Sequence, residues 1–120
     1  MRITNAVAVL GEDAAVEHLK QKGYKIIERN FRKSHTEIDI IALQGSILVF
    51  VEVKTRSSSS YGTPFEGIAP WKVRNLVKTA QFYKLLHPDL PDDLRIDAVG
   101  VWIKNDKVDK IEHLENISGF

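Results

Sequence analysis

A chain of 120 residues, 43% hydrophobic and 28% charged, has the make-up of one soluble domain that can bury a core without covalent staples. It has no cysteine, which excludes disulfides, thiolate metal sites and cysteine nucleophiles. With 17 Lys and Arg against 16 Asp and Glu the net charge is +1, so bulk charge makes no case for nucleic acid, and no apolar run approaches the roughly 20 residues of a membrane span.

The N-terminal segment is amphipathic with acids inside it, unlike the uninterrupted apolar core of a signal peptide, and the chain reads as cytoplasmic. A first helix is expected from about Asn5 to Lys22, capped by Thr4, with Leu10, Ala14, Ala15 and Leu19 as its apolar stripe and Gly23 as its stop. Three strands follow in "YKIIERNF", "EIDIIAL" and "ILVFVEVK", the last two joined through Gly45 as an antiparallel hairpin. A loop spans residues 55–69, with Ser57 to Ser60 and Tyr61-Gly62 as its mobile part. Pro70 suits the first turn of a second helix, whose apolar face is Val73, Leu76, Val77 and Ala80, and "HPDLPDD" breaks it. "LRIDAVGVWI" is a fourth strand, "KND" a turn and "KVDKIEHL" a short fifth strand. The order is α-β-β-β-α-β-β. In the third strand Ile47, Val49, Val51 and Val53 make one apolar face and Leu48 and Phe50 the other, so it should be central, with a helix layer on each side.

That buried strand ends in charge. Glu52 and Lys54 share one of its faces, as Glu37 and Asp39 share one in the strand before. A two-residue turn at Gly45-Ser46 sets Asp39 opposite Glu52, and a turn at Gln44-Gly45 shifts the pairing by two residues; either brings the two carboxylates within one rung. Like charges buried together are costly, and a hard dication such as Mg²⁺ would offset the repulsion. Such an ion can activate water and stabilise charge on a phosphate, with Lys54 orienting the nucleophile or neutralising the transition state. The plain alternative is a salt bridge of Glu52 with Lys54, or a contact with Asp39, at a frayed strand end.

The ordered set "GEDAAVEHL", "TEIDIIA" and "VFVEVKTR", with "GYKIIERNFR" before it and "RIDAV" after it, resembles the YraN-like family of bacterial proteins, predicted endonucleases of the PD-(D/E)xK nuclease superfamily and similar to archaeal Holliday junction resolvases. The resemblance runs from about Gly11 to Val101. It implies one restriction-endonuclease-like domain over residues 1–120, with a mixed sheet between helices. It implies an endonuclease acting on nucleic acid, DNA in particular and structured or branched DNA above all, with Mg²⁺ or Mn²⁺ as cofactor. Asp39 and Glu52 match the metal-binding carboxylates, joined there by the backbone carbonyl of Val53; Lys54 matches the catalytic lysine and Glu12 the helix glutamate. The match is incomplete: Thr36 stands where the family has glycine, Ile38 where the superfamily has proline, and Arg95-Ile96-Asp97 lacks the aromatic of the later motif.

Around this set, Arg29, Arg32, Arg56 and Lys72 are candidates for phosphate contact and Glu37 for support of the metal, each with a solvated surface charge as the alternative. The four histidines lack metal-ligand spacing. Trp71 and Trp102 are candidates for base stacking or for packing. A homodimer is expected by analogy with resolvases. The rival reading is a non-catalytic nucleic-acid-binding module that keeps the fold.

Overall fold

The computed structural model describes residues 5–57, 65 and 68–119. Thr4, the expected cap, and most of the Ser57–Gly62 stretch lie outside them. In chain order the elements are α1 (Asn5–Gln21), β1 (Lys25–Lys33), β2 (Thr36–Gln44), β3 (Ile47–Ser57), α2 (Pro70–Leu86), β4 (Asp93–Lys104) and β5 (Lys107–Leu114). The five strands form one mixed sheet in the order β1-β2-β3-β4-β5. Among them β3 and β4 pair in parallel, and the other neighbours are antiparallel.

Glycine ends α1. Gly23, at φ +90°, lets the Tyr24 N–H turn back to the Leu19 carbonyl at 3.0 Å and its own N–H reach the Lys20 carbonyl at 3.0 Å. This left-handed cap satisfies carbonyls the helix would otherwise leave open, and it buries Tyr24 in the same cluster as Leu19. The β2–β3 turn is Gly45-Ser46, between the paired Gln44 and Ile47. Gly45 takes φ +57°, as a two-residue hairpin turn asks of its first position.

The sheet is covered on both faces. Ala15, Val16 and Leu19 of α1 pack on Ile40, Val49, Val51, Val99 and Val101. Leu76, Ala80 and Tyr83 of α2 pack on Ile38, Leu48, Phe50 and Ile96. β3 is third of five, which is why it is apolar on both faces. Each fully buried Val, Leu, Ile or Phe side chain among them contributes roughly 1.5–3 kcal/mol. No helix among the described residues is long and apolar enough to cross a membrane.

The end of β3 where apolar residues give way to charge is gripped by α1. A Cβ on Gly11 would collide with the side chain of Thr55, so glycine here is a condition of close approach. That contact places the next residue of the helix, Glu12, over the end of the strand.

Candidate functional site

The β2–β3 ladder runs from Gln44↔Ile47 to Ile40↔Val51 and stops there. One rung further Asp39 would face Glu52. Instead the Asp39 carboxylate takes over from the backbone, its Oδ2 accepting the Val53 N–H at 2.7 Å. The change of course shows in the packing. Ile38 and Ile40 are two apart, yet one lies in the α2 layer and the other in the α1 layer. Asp39 therefore sits where the alternation of β2 breaks, turned onto the end of β3.

Glu52 is 6% exposed. Its Oε1 lies 3.5 Å from Nζ of Lys72, in the first turn of α2, while its Oε2 is buried and has no hydrogen-bond partner among the described residues. Burial, and then the Glu52 charge, push the Asp39 carboxyl up to about 8, with smaller pushes from Glu12 and Glu37 and the Val53 N–H acting the other way. Burial also lowers the pKa of the Lys54 ammonium; Glu52 opposes this, and Lys72 and Arg56 add to it.

Glu12 lines a cleft of about 280 Å³ with Asp39, Glu52, Val53, Lys54 and Arg56. Its Oε1 accepts from Asn30 Nδ2 at 3.0 Å and lies 3.7 Å from Arg29. It borders the carboxylate pair without joining it, and among the described residues no group of three or more His, Cys, Asp or Glu is gathered closely enough to hold a metal. Glu37 is held by Arg32 at 2.7 Å, and both line a second cleft of about 500 Å³ that shares Asp39 and Glu52. Arg29 is paired with Asp13 at 2.9 Å. Arg56 donates to the Thr55 carbonyl at 3.1 Å beside Lys54. Of the four cations considered for phosphate, Lys72 and Arg56 stand at the carboxylates, whereas Arg29 and Arg32 are held by acids.

The sequence gives no sign of Asn30 as the residue that steadies Glu12. Asn30 takes φ +58°, which asparagine tolerates better than most residues, and an asparagine inside a strand is only a faint signal of this. The Lys72–Glu52 contact depends on how α2 docks, which no spacing within α2 encodes.

Two carboxylates beside a main-chain carbonyl are the donors of a small hard dication, which takes one or two carboxylates and completes its shell with water. The buried, unpartnered Glu52 Oε2 is the oxygen such an ion would satisfy. Asp39, Glu52 and the Val53 carbonyl thus fit Mg²⁺ or Mn²⁺; the chain has no thiolate to offer, and His35, which lines the same cleft, is a single imidazole.

Residues 11–101 match the profile of the uncharacterised protein family UPF0102. A UPF0102 protein of Persephonella marina is 44% identical over 106 residues, 88% of this chain and 87% of the relative. One from Flavobacterium psychrophilum is 45% identical over 112 residues, 93% of this chain and 92% of the relative. Among solved structures, that of Pyrococcus furiosus SfsA in complex with Ca²⁺ is similar over 87% of this chain and 62% of that one, with 16% identity and a TM-score of 0.40. The length and identity of the family match leave one conclusion: the chain belongs to UPF0102, the YraN-like family.

Proposed function

We propose that this protein is a divalent-metal-dependent endonuclease of restriction-endonuclease-like architecture, hydrolysing phosphodiester bonds in nucleic acid, with structured or branched DNA as its substrate. The observation that carries the reading is the Asp39–Glu52 pair lining a cleft, with one buried carboxylate oxygen unpartnered among the described residues. A Mg²⁺ or Mn²⁺ ion held by Asp39, Glu52 and the Val53 carbonyl would supply Lewis-acid stabilisation of phosphate charge and a water acidic enough to attack. Lys54, on the same strand and with a lowered pKa, hydrogen-bonds the attacking water or a phosphate oxygen. Lys72 holds Glu52 in place. Glu12, steadied by Asn30, accepts a hydrogen bond from water at the edge of the cleft. Cutting both strands of a junction calls for two sites, hence two copies of the chain, and sedimentation with and without junction DNA reads their association.

A second reading, a binding module without turnover, is favoured by one feature: Glu12 is engaged by Asn30 rather than joined to the carboxylate pair. One experiment separates the two. Four-way junction, flap, duplex and single-stranded DNA are incubated with the protein in Mg²⁺ and in Mn²⁺, beside identically purified Asp39→Asn and Lys54→Ala. Cleavage by wild type, reduced roughly a hundred-fold or more in both variants, is expected. Binding without cleavage in wild type supports the module. Equal cleavage by all three proteins overturns the assigned mechanism.

A further inference from the structure

Trp71 is 59% exposed in the first turn of α2. A single exposed apolar side chain is ordinary, so exposure alone carries nothing. Position and surroundings do. Trp71 precedes Lys72, the residue that reaches Glu52, and it lines the cleft of about 500 Å³ together with Asp39, Glu52, Arg32 and Asn75. That volume lies within the roughly 300–1,000 Å³ of sites that enclose a small ligand. The indole is also uncovered. Trp102 carries Lys110 at 4.9 Å from its ring and Tyr83 stacks on His87, but among the described residues Trp71 has neither an aromatic nor a cationic partner.

The cleft therefore offers three kinds of recognition at once. The carboxylate pair, loaded with a dication, takes a phosphate. Lys72, 3.5 Å from Glu52, adds positive charge at the same place, whereas Arg32 is matched by Glu37. The open indole face offers a flat apolar surface, with the Asn75 amide able to hydrogen-bond a base edge. One ligand class meets all three: a nucleotide whose base has left its stack. Inside an uninterrupted duplex both faces of every base are already covered, and no face is left for the indole.

We propose that Trp71 is a stacking platform for an unpaired nucleobase next to the phosphate held at Asp39 and Glu52. The substrate class is then nucleic acid with an unpaired nucleotide beside the cut, as in a single strand, a flap or a branch point. This rests on the nuclease reading above for the phosphate and metal, and on the exposed indole for the base.

Binding of dye-labelled oligothymidine, a flap and a blunt duplex is measured by anisotropy in Ca²⁺, for wild type, Trp71→Ala and Trp71→Phe, with cleavage in Mn²⁺ measured alongside. Trp71→Ala is expected to weaken binding of the single strand and the flap by roughly ten-fold or more. Blunt duplex should be unaffected, and Trp71→Phe, which keeps an aromatic face, should retain most of the affinity. Quenching of tryptophan fluorescence by oligothymidine should disappear in Trp71→Ala, although Trp102 remains. Equal affinity of wild type and Trp71→Ala for the single strand overturns the platform, as does an equal loss on strand and duplex. If wild type still cleaves in either case, the nuclease reading survives that failure. Discrimination by Trp71 without cleavage sinks the nuclease reading and leaves the platform standing. No binding and no cleavage by wild type overturns both.

Discussion

Asp39 and Glu52 line the same clefts, and one buried oxygen of Glu52 has no partner among the described residues. Asp39 ionises near 3.8 in an unfolded chain and at about 8 in the fold. Between these values the folded state holds more protons than the unfolded one, so stability falls as pH rises. The melting temperature of metal-free protein should drop from about pH 4 to pH 8, and Asp39→Asn, which cannot ionise there, should flatten that part of the curve. Because a metal needs the carboxylate form, Mg²⁺ should stabilise wild type more strongly at higher pH, by about 2.7 kcal/mol at a hundred times Kd, and should leave Asp39→Asn unmoved. A wild-type curve that rises over this window contradicts the buried pair. Gly11 makes a second prediction at this scale. Alanine there gains about 1 kcal/mol of helix propensity but meets Thr55 Oγ1, with Cγ2 and Cβ close behind, so rotating the threonine does not relieve the clash. A net loss of roughly 1–3 kcal/mol in urea denaturation is expected, partly recovered by adding Thr55→Ala.

At the level of elements, β4 and β5 are tied by a second buried acid. Asp97 is fully buried and accepts from Arg95 at 2.8 and 2.9 Å, from His113 Nε2 at 2.8 Å and from the Asn116 N–H at 3.0 Å. Lys22, just past the end of α1, donates to His113 Nδ1 at 2.7 Å, so the ring presents its Nε2 proton to Asp97. Burial works against the Asp97 charge, but the hydrogen bonds from His113 and Arg95 outweigh it and hold the carboxyl below its ordinary value. Its contribution is complete above about pH 4 and is lost as pH falls through the lowered folded value. Asp97→Ala leaves Arg95, whose side chain is 14% exposed, with the Tyr24 hydroxyl and the solvent-exposed Glu115 at 3.5 Å in place of its buried acid, and should cost roughly 3–5 kcal/mol in urea, while Asp97→Asn should weaken the acid-side loss. Arg95-Ile96-Asp97 was visible in the sequence as a motif, but its partners come from β5 and the segment after it, beyond the reach of local spacing. The same division runs through the fold. The Gly23 stop, a tight turn at Gly45 and the central place of β3 were legible because each is a local pattern; that the turn is Gly45-Ser46 and not Gln44-Gly45 was not, because both registers suit the alternation. The parting of β2 from β3 at Asp39 was not, since alternation alone extends the ladder by another rung.

For the molecule as a whole, a net charge of +1 limits how much of any nucleic-acid affinity can be electrostatic. Arg29 and Arg32 are each already matched with an acid. Each phosphate neutralised on duplex DNA contributes about −0.9 to the slope of log affinity against log salt, so the slope here should be shallower than about −4. A steeper slope, measured by salt titration of binding, would mean that those arginines exchange their partners for phosphate.

The parallel pairing of β3 with β4 has a consequence for how the chain matures. Ile47 must wait for Asp93, and Glu52 for Ala98, with the whole of α2 between them. As the chain leaves the ribosome, the β2–β3 hairpin is complete well before β4 exists, and until β4 arrives β3 is an edge with water on one side. The two carboxylates are thus expected to stay hydrated while the nascent chain is short, their repulsion being imposed only when α2 and β4 dock. An unfavourable site is tolerable when its burial comes last, after most of the core has committed to one arrangement.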